Sequence, residues 1–145
     1  MDRDSNHWEK VHTVHDYYDG PLTGVADLEG HPHAYSRIFD EKEDEWSNEY
    51  SLSPVTNEQL DLSNEAYAMF LRWRAAHDVG KLGREDAHPV LAAERHRYNQ
   101  IIGAVEQALK IEVARAIRAV AEFKGTFHPL TPSGALWVRW TVADS

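Results

Sequence analysis

Residues 15–35 read His-Asp-Tyr-Tyr-Asp-Gly-Pro-Leu-Thr-Gly-Val-Ala-Asp-Leu-Glu-Gly-His-Pro-His-Ala-Tyr, with three histidines, three tyrosines, three aspartates and three glycines. Imidazole, carboxylate and phenol are the groups that move protons near neutral pH. If Glu29 and Gly30 form a two-residue hairpin loop, Leu28 faces His31, Ala26 faces His33 and Gly24 faces Tyr35. Those six side chains then share one face of the sheet, because strand side chains alternate. Gly24 and Ala26 leave room beside the rings of Tyr35 and His33. His33, Tyr35 and Asp27 are therefore the candidate ligand-binding residues. A small hydrolase or isomerase using His33 with Asp19 or Asp27 is the enzymatic alternative. The competing explanation is structural: aspartates beside glycines make turn hydrogen bonds, and a ring over a strand glycine covers backbone.

Other chemistries have weaker signals. The nine histidines include His12-x-x-His15, which a strand would split between its faces, and His31-x-His33, which it would align. Neither belongs to a His-Glu-x-x-His or Cys/His zinc pattern, and no metal or other cofactor is expected. The acidic run from Asp40 fails as an EF-hand, with Lys42 at position 3, Glu45 in place of the glycine at position 6 and Ser51 at position 12. There is no phosphate-binding glycine loop, dinucleotide fingerprint or Gly-x-Ser-x-Gly elbow. Arg72-Trp73-Arg74 and Arg95-His96-Arg97 place bases beside rings, the ingredients of nucleic-acid contacts. Helical spacing assigns Trp73 to a buried stripe instead, so no nucleic-acid partner is expected. A different surface arises where Trp46 sits in the acidic loop 40–49 with Glu43 and Glu45. An aromatic anchor inside a rim of charge suits a basic protein partner.

Positioning these residues requires an element plan. Asp19-Gly20-Pro21 and Glu29-Gly30 are turn signals that frame strand-like runs over 23–28 and 33–39. A further strand is predicted over 49–53, ended by Pro54. Thr56 with Gln59 forms a capping box, and Leu62, Ala66, Met69, Phe70, Trp73 and Ala76 make one apolar stripe. Gly80 marks the stop of this helix. A second helix is predicted to begin near Pro89, with Leu91, Tyr98, Ile101, Ile102, Val105 and Leu109 as its stripe. The stretch 111–123 fits strand and helix spacing; strand is assigned to 116–123, in a hairpin with 136–142. The resulting fold class is α+β. It is one domain over 1–145, an antiparallel sheet of about five to six strands with two central amphipathic helices packed on one face.

The 145-residue, 16.6 kDa chain is 42% hydrophobic and 27% charged, long enough for an ordinary core. It has no cysteine, which removes disulfides and thiolate chemistry and agrees with a cytoplasmic location. The first ten residues are polar and acidic, unlike a signal peptide. The apolar run 66–71 is too short to span a bilayer, so no membrane association is expected. Net charge is −9, with 16 acids against 5 bases in residues 1–72 and 8 against 10 in residues 73–145. That balance opposes nucleic acid and anionic membranes and favours a basic partner.

The segment Asp16-Tyr17-Tyr18-Asp19-Gly20-Pro21, followed by Gly24, Ala26-Asp27, Gly30 and Pro32-His33, resembles the opening of an uncharacterised group of small bacterial proteins. The similarity extends through Phe39-Asp40, Leu52-Ser53-Pro54 and Val138-Arg139-Trp140. It implies a bacterial source and brings no activity, cofactor or site. The sequence therefore points to a small acidic soluble binding or interaction protein, with the enzyme as alternative.

Overall fold

β-Branched and aromatic residues alternate with polar ones along six stretches, and each becomes a strand. The structure, a computed structural model, describes residues 8–17, 20–78, 90–111, 115–125 and 136–142, with the backbone alone for 77 and 78. The strands are β1 (Glu9–Tyr17), β2 (Pro21–Leu28), β3 (His31–Asp40), β4 (Glu45–Pro54), β5 (Ile117–Gly125) and β6 (Leu136–Val142). Each pairs antiparallel with the next, and β6 returns to β1 through Glu9–Val138 and Lys10–Trp137. The sheet is thus a closed six-stranded barrel.

Closure corrects the expected α+β arrangement of an open sheet with helices on one face. Alternation predicts strands but not whether the first and last of them meet. Closure gives the first and last strands each other as partners, at Glu9–Val138 and Lys10–Trp137. It is made possible by β1, whose register against β2 slips three times. In two of these bulges the extra residue is His12 or His15, and bulges bend a strand and raise its twist. Trp8 adds an outer clasp, with Lys124 Nζ 4.5 Å and Arg139 Cζ 4.8 Å from its ring centre.

A six-stranded barrel is narrow, so large and small side chains must alternate across its interior. Ala119 faces Tyr50, Ala121 faces Trp140, and Gly24 faces Tyr35. Tyr35, Tyr50, Leu52, Val138 and Trp140 are almost wholly removed from solvent. Trp140 Nε1 donates to the Asp27 carbonyl at 2.9 Å, tying β6 to β2 across β1.

Helix α1 (Asn57–Asp78) starts at the predicted capping box, in which Gln59 N donates to Thr56 Oγ1 at 3.0 Å and Thr56 N to Gln59 Oε1 at 2.8 Å. The predicted Gly80 stop and Pro89 start lie outside the described residues. A 3-10 turn (Ala92–Glu94) precedes helix α2 (Arg95–Leu109), so the regular helix begins later than the proline signal implied. Ala66 and Met69 of α1 pack with Ile101 and Val105 of α2 in a second core. Helix α1 lies against β1, and α2 against β2 and β3. Outward-facing Val25 and Ala34 are consequently buried.

Candidate functional site at the open end of the barrel

Glu29 and Gly30 both adopt positive φ (54° and 79°), as a tight hairpin loop demands. The register that follows is the predicted one: Leu28 opposite His31, Ala26 opposite His33, Gly24 opposite Tyr35. That shared face is the inside of the barrel, and it is not open. Tyr35 is 0% exposed, and its hydroxyl donates to the Thr13 carbonyl at 2.9 Å. Burial pushes its pKa well above the ordinary phenol value, so the group stays a donor. His33 is 8% exposed and its Nδ1 donates to the His31 carbonyl at 2.8 Å. A carbonyl can only accept, which fixes the proton on Nδ1.

Asp27 projects from the opposite face. Its Oδ1 accepts from His12 Nε2 at 2.8 Å. The structure therefore does not bring Asp27 to His33 or Tyr35, and Asp19 lies outside the described residues. The His12–Asp27 pair is not legible in the sequence, because His12 owes its position to a bulge. His15, the extra residue of the next bulge, packs its ring 5.9 Å from that of Tyr67 on α1. Burial lowers the His15 pKa to about 4, against a small opposing pull from Asp16. Glu9 faces inward at the same end as the Glu29–Gly30 loop, where its Oε1 accepts from Gly30 N at 2.8 Å. Polar groups close this end of the barrel.

The opposite end is built differently. Phe123, Tyr50 and Trp140 meet edge to face, with ring centres 5.8 Å apart for Tyr50–Phe123 and 5.6 Å for Tyr50–Trp140. Tyr50 hydroxyl donates to the Pro21 carbonyl, and burial pushes its pKa up to about 12. Above this aromatic floor lies a cleft of ≈ 210 Å³ lined by Tyr17, Gly20, Pro21, Phe123, Lys124, Gly125 and Leu136. Arg37, paired with Tyr50 across β3 and β4, donates from Nε to the Ser47 carbonyl at 2.6 Å.

The β3–β4 hairpin runs on past this end. The sequence pattern places residues 40–49 in a loop carrying Trp46, Glu43 and Glu45. The structure corrects that: β4 already begins at Glu45, and Trp46 pairs with Phe39. A bulge between Tyr50 and Trp46 absorbs the mismatch with β3, with Ser47 Oγ donating to the Ile38 carbonyl at 2.7 Å. The turn at 41–44 is held by the Asp40 carboxylate, whose Oδ1 accepts from Lys42 N at 3.0 Å and Glu43 N at 3.2 Å. Phe39 and Trp46 meet edge to face at 5.2 Å, and Phe39 is 40% exposed. Glu41, Glu43, Asp44 and Glu45 are exposed around them, and Lys42 is the lone base of the turn. Tyr35, Arg37 and Phe39 alternate onto one face of β3, so the aromatic pair extends the inner face beyond the barrel.

The basic clusters of the two helices are engaged elsewhere. Arg72 is paired with Glu94, and Arg97 with Glu65, and each arginine holds its carboxyl partner below the usual carboxylate range. Trp73 is buried, with its ring 6.1 Å from that of Phe70. Among the described residues no group of three or more histidine or carboxylate side chains is placed to hold a metal ion. No helix there is long and apolar enough to cross a membrane. Comparison of the chain with protein-family models, with curated proteins and with solved structures finds no match in any of the three.

Proposed function

We propose that this chain is a small acidic binding protein, of bacterial and cytoplasmic type, that docks a basic protein partner on the tip of its β3–β4 hairpin. One observation carries the reading: an aromatic pair, exposed Phe39 and half-buried Trp46, stands on a well-braced turn inside a rim of four exposed carboxylates. Aromatic rings concentrate binding energy at the centre of an interface, and surrounding charge selects the partner and speeds encounter. The turn is fixed by Asp40 and by the Ser47 bulge before any partner arrives. Little ordering entropy is then lost on binding. The whole-chain charge of −9 steers the same class of partner.

The test is quantitative capture from a lysate of the native host, with the wild-type chain beside Trp46→Ala and a Glu43→Gln/Glu45→Gln variant. The expected result is a basic protein retained by the wild type and depleted about tenfold or more by Trp46→Ala, the size of a central aromatic contact. The double glutamine variant should slow its association and flatten its salt dependence. An identical captured set from all three chains contradicts the proposal.

A further inference from the structure

The outer face of β5 and β6 has the opposite charge character to the hairpin tip. We infer that it receives the β3–β4 tip of a second copy of this chain, so that the protein self-associates. The inference rests on the reading of the tip as the docking element. Strand alternation turns Ala119, Phe123, Val138 and Trp140 into the barrel and Val120, Lys124 and Trp137 outward. The two helices pack on β1, β2 and β3, and Val120 and Trp137 stay 40% and 37% exposed.

Trp137 is the centre of this face. Its strand partners are Lys10 on β1 and Lys124 on β5, and both lysines are exposed. Directly opposed residues share a face, with β-carbons about 4.5–5.5 Å apart. The indole is therefore flanked by a lysine on each side. Lys124 is positioned further by Trp8, with Nζ 4.5 Å from the ring centre. The carboxylates of this face are engaged already, Glu49 by Arg118 and Glu122 by Arg139. Those pairs cancel. Lys10 and Lys124 leave a local surplus of positive charge on a chain that carries −9.

The hairpin tip complements this face in both ring and charge. Phe39, 40% exposed, offers a ring to Trp137, and Glu41, Glu43, Asp44 and Glu45 offer carboxylates to the two lysines. Aromatic pairs gain beyond the area they bury, and matched charge fixes the register of docking. Asp40 and Ser47 hold the tip in place on its own barrel, so it meets this face only on another chain. The net −9 of each copy opposes approach at long range. Salt screens that repulsion beyond about 8 Å at physiological ionic strength, whereas ion pairs in contact lie well inside it. A nucleic acid is a poorer match, because an extended polyanion would run past two lysines into the acidic remainder of the surface.

The experiment is sedimentation velocity of the full chain from micromolar to submillimolar concentration at physiological salt. The wild type is expected to show a reversible, concentration-dependent shift from monomer to oligomer. Lys10→Glu/Lys124→Glu reverses the face and Glu43→Lys/Glu45→Lys reverses the tip, all at exposed positions. Each variant alone should self-associate about tenfold or more weakly. Mixed in equal amounts the two should associate again, because the first keeps an acidic tip and the second a basic face. Trp137→Ala should weaken the wild-type association without any change of charge. Three results overturn the inference: a monomeric wild type throughout, association unchanged by either reversal, or a mixture no more associated than its components. The face variant retains its tip and should capture the basic partner from lysate as the wild type does. A monomeric wild type with tip-dependent capture overturns this inference alone, and self-association without capture overturns the basic partner alone.

Discussion

Between β1 and β2 the register slips three times, whereas β5 and β6 pair without a break from Ala119–Val142 to Gly125–Leu136. The bulged side, β1 to β3, is covered outside by the two helices, and its polar atoms are spent on holding strands together. The regular side, β4 to β6, has cross-strand ion pairs on its outer surface, Arg118 with Glu49 and Arg139 with Glu122. The residue types that could move protons here make hydrogen bonds within and between strands. Histidines 12, 15 and 33 and Asp27 all belong to the bulged side, where they serve closure and packing. The features suited to binding, an aromatic pair and an aromatic-floored cleft, lie at the opposite end from the Glu29–Gly30 loop.

The contrast can be broken most severely at Gly24. A β-carbon there would lie 2.1 Å from the Thr13 carbonyl oxygen and 2.6 Å from the Tyr35 hydroxyl. Backbone cannot yield that far without opening the β1 bulge. Gly24→Ala is expected to destabilise by about 3 kcal/mol or more, read from urea unfolding. A loss below about 1 kcal/mol would show that Tyr35 does not lock the bulge as described.

Acid provides the next largest effect. The folded-state pKa of His15 is about 4, against 6.5 when unperturbed. Between those values the unfolded chain binds the proton and the folded chain does not, so folding weakens as pH falls. The contribution is intact above pH 6.5 and is lost progressively down to about pH 4. The full loss is about 3 kcal/mol, since each pH unit between the two values is worth about 1.4 kcal/mol. His15→Phe should remove this part of the acid sensitivity, because the ring that packs on Tyr67 then has no proton to take up. An unchanged slope of stability against pH would refute the assignment.

On the regular side the expected effect is small. Arg118→Ala breaks an exposed ion pair with Glu49 whose side chains are 59% and 39% accessible. Unfolding should shift by no more than about 0.5 kcal/mol and become insensitive to salt at that site.

How far the sequence speaks follows from these differences. The β2–β3 register is legible because a two-residue loop at Glu29–Gly30 leaves only one pairing. Thr56 and Gln59 announce α1 for a local reason, since both capping hydrogen bonds lie within one turn. Strand β6 is clear from its alternation, and β5 emerges from an ambiguous run. Closure is not legible, since it depends on Glu9 finding Val138 from the far end of the chain. Nor are the bulges at His12 and His15, which carry no glycine and follow from the three-dimensional bend of β1. Trp46 stands out from its acidic setting as the proposed anchor, but its place in β4 depends on a bulge the sequence does not mark. The cleft leaves no trace in the sequence, because Tyr17, Phe123 and Leu136 are ordinary residues that only closure brings together.

The central claim is that the hairpin tip does the binding and the histidine- and aspartate-rich stretch builds the barrel. Host-lysate capture with Trp46→Ala beside an Asp27→Asn/His33→Gln variant, both checked as folded by circular dichroism, tests it most directly. Trp46→Ala is expected to lose the basic partner and the double variant to keep it. Loss by the double variant with full retention by Trp46→Ala would contradict it.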